Sequence, residues 1–213
     1  MAKIKLGIFG PITGKLGAIV GSSWMGIPYI KKSPKPNKHS IRTPGQLANN
    51  QKFAFVNEWL IPFHAYLIIG FNSLAVGKTA IGAALSAVYK SMFTGVMPEL
   101  EIDYSKMQIS SGSLIGLSNV SISCIGGNRI YLTWDNTVFS GTSYDDQVML
   151  ALYSEELKMT DGFTGNAYRV KAAYDFELQT EMVGQVLHAY IAVVSYNRKK
   201  ASKTTYLGQI HTI

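Results

Sequence analysis

The chain has 213 residues, 47% of them hydrophobic, a formal net charge of +7 and one cysteine. That length and composition suffice for one large core or two modest ones without covalent staples, and a single cysteine excludes an intrachain disulfide. The charge is uneven: residues 1–60 hold nine Lys/Arg against Glu58 alone, while the other 153 residues hold eleven against twelve acids, so the front end suits a polyanion or an acidic neighbour and the rest reads as an ordinary globule.

From Lys3 to Ile30, apolar residues alternate with small ones, and glycine recurs at Gly7, Gly10, Gly14, Gly17, Gly21 and Gly26. Each interior glycine would cost a helix about 1 kcal/mol. The pattern therefore predicts strands at Leu16–Ser22 and Ile27–Lys31, joined by a turn near Ser23–Gly26 into a hairpin. Lys15 and the glycines interrupt any apolar leader, and no small-residue cleavage site follows one, so no signal peptide is expected and the cytoplasm is the default location. Between Ser33 and Pro44, three prolines alternate with Lys35, Lys38, His39 and Arg42; proline's fixed φ predicts an extended, exposed strip.

Thr43-Pro44 has the form of a helix start, and the spacing of Leu47, Phe53, Val56 and Leu60 carries that helix to about Leu60, before Pro62. The uncharged run Trp59–Gly77 approaches the length of a bilayer span. It contains Pro62, His64, Gly70, Asn72 and Ser73, so buried core is expected and no membrane span. Alanine-rich Thr79–Phe93 predicts a second helix with close packing. Past Pro98, seven short runs rich in β-branched and aromatic residues (106–110, 120–125, 129–135, 147–153, 168–176, 188–196 and 204–211) alternate with turn signals that include Asp161-Gly162, which predicts an antiparallel β-sandwich. Ile130, Leu132 and Trp134 share one face, with Trp134 as a core anchor.

The fold class expected is α+β: an N-terminal β-hairpin plus helices over residues 1–100, then the sandwich over 101–213. Ile130–Trp134 resembles the second strand, with its tryptophan, of an immunoglobulin/fibronectin type III sandwich, and Ala189–Asn197 is similar to its sixth strand. Over nearly the whole chain, Gly14-Lys15-Leu16-Gly17, Val20–Ile30, Arg42–Leu47, Ile102–Ser105, Ser110–Leu114 and Tyr206-Leu207-Gly208 resemble a family of uncharacterised Bacteroidetes proteins, a domain of unknown function. That resemblance implies kinship and carries no catalytic residue, substrate or cofactor.

No catalytic, metal or cofactor residue is expected. Gly77-Lys78-Thr79 looks like the end of a phosphate-binding loop, but Asn72 stands where its first glycine belongs; capping of a helix accounts for it. His39, His64, His188 and His211 lack neighbouring ligands at metal spacing. Asp145-Asp146 and Glu155-Glu156 read as solvated loop ends, Tyr144 and Phe163 as loop cover, and Cys124 as a buried thiol. The functional candidates are Trp24, Tyr29, Lys31, Lys32, Lys35, Lys38 and Arg42, a basic strip beside aromatics. The expected function is a non-enzymatic structural or interaction module that contacts an acidic protein partner, or assembles with itself, through this strip. The alternative is sequence-independent nucleic-acid binding by the same lysines, with no small-molecule substrate in either case.

Overall fold

A computed structural model describes residues 3–4, 10–35, 41–137 and 140–212. The chain forms two compact units, residues 1–43 and 44–213, so the division falls well before the expected boundary near residue 100.

The first unit is an antiparallel sheet of β1 (Lys3–Ile4), β2 (Ile12–Leu16), β3 (Ile19–Trp24) and β4 (Ile27–Lys32), in that order. The expected strand over Leu16–Ser22 is interrupted, because Gly17 takes a left-handed φ of 58° and turns the chain back. The expected hairpin is present between β3 and β4. Its two-residue turn, Met25-Gly26, has φ of 49° and 81°, the positive pair of a type I′ turn whose twist suits the flanking strands. Among the described residues of this unit only Gly21 is buried; a Cβ there would collide with the Ile12 carbonyl.

The second unit opens with α1 (Pro44–Trp59), a 3-10 turn at Ile61–Phe63, α2 (His64–Gly70) and α3 (Ala80–Val88). Thr79 caps α3, its Oγ1 accepting from the Gly82 N–H at 3.0 Å, which is the capping role expected of Lys78-Thr79. The helix expected to reach Phe93 stops at Val88, and a hairpin of β5 (Phe93–Val96) and β6 (Glu99–Ile102) follows. No single helix among the described residues is long and apolar enough to cross a membrane.

Beyond these lie β7 (Ser121–Gly126), β8 (Arg129–Thr133), β9 (Gln147–Ser154), β10 (Met159–Tyr168), β11 (Ala173–Glu177), β12 (Val186–Val194) and β13 (Thr205–His211). They form a three-stranded sheet, β11-β8-β7, and a four-stranded sheet, β10-β9-β12-β13, both antiparallel. Residues 106–110 are not a strand: Tyr104–Lys106 is a 3-10 turn, and the N–H groups of Ile109 and Ser110 donate to Thr204 Oγ1 rather than to a ladder. Asp161-Gly162 is not a turn but lies inside β10, where Gly162 pairs with Ala151.

Alternation along the four-stranded sheet divides two cores. Val148, Leu150 and Leu152 of β9, with Leu187, Ala189 and Ile191 of β12, face Ile130, Leu132 and Trp134 from the other sheet. Met149, Ala151, Tyr153, Tyr190 and Ala192 point the opposite way, into Val56, Leu60, Phe63, Leu67 and Val88 of the helices. Helices, four-stranded sheet and three-stranded sheet are thus successive layers, and the helical segment lacks a core of its own. That shared core places the structural boundary at Thr43/Pro44.

One buried ion pair ties the loops of the sandwich together. Arg169 and Asp146 are both buried, with Arg169 Nε 3.4 Å from Asp146 Oδ2. Arg169 Nη1 donates to the Gly116 carbonyl at 3.1 Å and Nη2 to that of Ile115, while its own carbonyl accepts from Trp134 Nε1 at 2.8 Å. Asp146 is therefore no solvated loop end. Because removing one member strands the other charge in the interior, Arg169→Ala should lower stability by about 3–5 kcal/mol, seen as a lower urea midpoint with unchanged slope; Arg169→Met combined with Asp146→Leu should recover much of the loss.

Candidate functional site

Register in the β1–β4 sheet decides which of the expected contact residues act together. Directly opposed residues of an antiparallel pair share a face, and the pairs Trp24↔Ile27, Ser22↔Tyr29, Val20↔Lys31 and Lys15↔Val20 put Trp24, Ile27, Tyr29, Lys15 and Lys31 on one side. The opposite side carries Leu16, Ile19, Ile30 and Lys32. Lys31 and Lys32 therefore point apart, and the expected single strip is two surfaces.

Both faces are open to solvent, with Trp24 54%, Ile27 62% and Ile30 59% exposed. Lys31 Nζ sits 5.7 Å from the centre of the Tyr29 ring, within cation–π reach. A hydrogen bond from Ser22 and the nearby Lys31 charge hold the Tyr29 hydroxyl below its ordinary pKa. Lys35 and Arg42 are exposed in the irregular stretches at either end of residues 36–40. Lys38, with Pro36 and His39, lies outside the described residues.

A second feature, in the 44–213 unit, went unforeseen. A cleft of about 490 Å³ opens between the end of α1, β6 and the β9–β10 turn. Trp59 and Tyr153 line it, their ring centres 5.2 Å apart, and Trp59 stacks on Phe63 at 5.1 Å. Tyr104 adds a third ring, while Glu58, Glu155 and Lys158 supply charge and are all exposed. Burial, then the Glu155 carboxylate, push Tyr104 up, and the same two causes raise Tyr153 to about 12. These phenols stay protonated donors at neutral pH. The residues come from positions 55 to 158, and the only local sign was the Glu58-Trp59 pair ending a predicted helix.

Close by, His188 is buried, stacked on Tyr104 at 4.2 Å, with Nδ1 2.8 Å from the Tyr206 hydroxyl. Burial depresses its pKa, against an opposing pull from Glu155. Among the described residues no group of three or more His, Cys, Asp or Glu is placed to hold a metal ion. Phe163, read from sequence as loop cover, is a core residue packed on Tyr174 and Phe176, whereas Tyr144 is 68% exposed. Trp134 occupies the core as expected, and Cys124 is half-buried.

The family of unknown function DUF6266 matches residues 11–208, and the chain belongs to that family. No curated protein matches the chain. Among solved structures, the fn3 domain of human collagen alpha-1(XX) chain is similar at 12% identity and a TM-score of 0.36, over 48% of this chain and 90% of that one.

The depressed His188 pKa fixes the sign of a pH effect. Above the ordinary histidine value near 6.5 the ring is neutral folded and unfolded, and its contribution is intact; as pH falls from there toward the lower folded value, only the unfolded chain gains the proton and stability is lost. The difference in urea midpoint between the native chain and His188→Gln should therefore shift against the native chain from pH 7 to pH 5, with carboxylate effects common to both cancelling.

Proposed function

We propose that this DUF6266 family member is a non-enzymatic interaction module whose β1–β4 sheet docks an acidic protein surface, carried by a fibronectin type III/immunoglobulin-like sandwich. The sandwich reading is supported by the facing of β11-β8-β7 against β10-β9-β12-β13 around a core that includes Trp134 of the second strand segment and the apolar β12.

One observation carries the docking reading: Trp24, Ile27 and Tyr29 stand exposed beside Lys15 and Lys31 on a sheet in which, among the described residues, only Gly21 is buried. Eight of the twenty bases and none of the thirteen acids precede residue 44. Exposed aromatics with a one-sign field form an anchor ringed by steering charge, and a small sheet open on both faces gains stability by being covered. The same face offers stacking rings and cations to single-stranded nucleic acid, which is the second reading.

The two surfaces make the test specific. The far-UV spectrum should be unchanged in Lys15→Glu/Lys31→Glu and in Lys32→Glu, since these side chains are exposed. Retention on immobilised polyglutamate at low salt should be lost in the first variant and kept in the second. No retention of the native chain, or equal loss in both variants, contradicts the docking face. Anisotropy of a labelled oligonucleotide at two ionic strengths separates the readings, because tighter, steeply salt-dependent binding to the oligonucleotide than to polyglutamate favours nucleic acid.

A further inference from the structure

The cleft of the 44–213 unit has the chemistry that the β1–β4 sheet lacks. Its floor is aromatic and held in place, since Trp59, Phe63 and Tyr153 form a mutually contacting triad of rings and Trp59 also meets Phe93 edge-on at 5.4 Å. Phe55 and Pro62 extend an apolar wall along which the methylene stem of a long basic side chain can lie. At the rim, Glu58 and Glu155 oppose the single ammonium of Lys158, so the cleft keeps a net negative charge. Such a site favours a cation carried on an apolar or aromatic stem and disfavours an anion.

We propose that this cleft accepts the β3–β4 face of a second copy of the chain, so that copies join head to tail through Tyr29 and Lys31 of one and Glu58, Trp59 and Glu155 of the next. The inference rests on the reading of that sheet as a docking surface and names its partner. Charge complementarity commits it to a second copy: the donor unit has eight bases and no acid, and the acceptor unit has twelve bases against thirteen acids. Donor and acceptor are supplied at equal concentration by one gene product. Tyr29 and Lys31 are alternate residues of one strand, about 7 Å apart on the same face, so ring and ammonium enter together, the ring toward the aromatic wall and the ammonium toward the carboxylates. Because donor and acceptor are different surfaces, the contact is heterologous and propagates into chains or closes into rings.

Sedimentation velocity on the full chain tests this at about 0.05 M and about 0.5 M salt. The native chain should sediment faster as its concentration rises at low salt and revert to monomer at high salt. Glu58→Lys/Glu155→Lys spoils only the acceptor and Lys15→Glu/Lys31→Glu only the donor, so each alone should associate more than about tenfold more weakly. An equimolar mixture of the two should form dimers and nothing larger, joined by the intact donor of one and the intact acceptor of the other. A native chain that stays monomeric at every concentration, or variants that associate like it, overturns the proposal. If the native chain is monomeric yet still binds polyglutamate through Lys15 and Lys31, only the choice of partner fails; loss of both removes the docking reading as well.

Discussion

The fold depends on burying both faces of one antiparallel sheet. Every residue of Val148–Tyr153 and of Leu187–Val194 is almost wholly removed from solvent, which in an antiparallel sheet requires cover on each side. The three-stranded sheet covers one face and the helices the other. Both covering layers pack on the sheet between them, and the helices also on Phe93, Leu100 and Ile102 of the β5–β6 hairpin. Burial of apolar surface, at about 25 cal/mol per Å², stabilises the helical layer through its contact with Met149, Ala151, Tyr153, Tyr190 and Ala192. The aromatic cleft follows from this arrangement: where α1 ends, half-buried Trp59 meets buried Tyr153 in the cleft lining.

The first unit stands under the opposite constraint. It has eight bases and no acids, and among its described residues, of which only Gly21 is buried, the sheet is held by ladder hydrogen bonds and tight turns. A sheet of this kind is marginal by itself, and its stability rises with whatever covers it. The two units thus differ physically: the 44–213 unit is built around buried apolar layers, and the 1–43 unit has eight bases, no acid and a largely exposed sheet.

Features that short-range pattern encodes were legible in the sequence. The start of α1 at Pro44, the shared face of Ile130, Leu132 and Trp134, and the two-sided alternation of Tyr190 and Ala192 against Ala189 and Ile191 were all legible. Features set by distant contact were not. Residues 106–110 have the composition of a strand, yet Thr204 captures their N–H groups and their apolar side chains enter the helical core. Asp161-Gly162 reads as a turn, yet Gly162 is needed because β10 crosses close to the Leu150 carbonyl. Asp146 looked solvated because Arg169, its partner, is 23 positions away in sequence. The candidate strip was legible as residues but not as a surface: Lys31 and Lys32 are neighbours in sequence, and only β geometry separates them. Apart from the Glu58-Trp59 pair, the cleft gave no sequence sign, because Glu58, Tyr104 and Glu155 meet only through the layering.

Native-state hydrogen exchange in rising urea, on the unmodified chain, probes the shared sheet most directly. If helices and sandwich depend on one two-faced sheet, the slowest amides of α2, β9 and β8 should converge on a single global opening free energy. Helical amides that exchange through a separate, lower-energy opening while β8 and β12 stay protected would show that the layers fold independently and contradict the account.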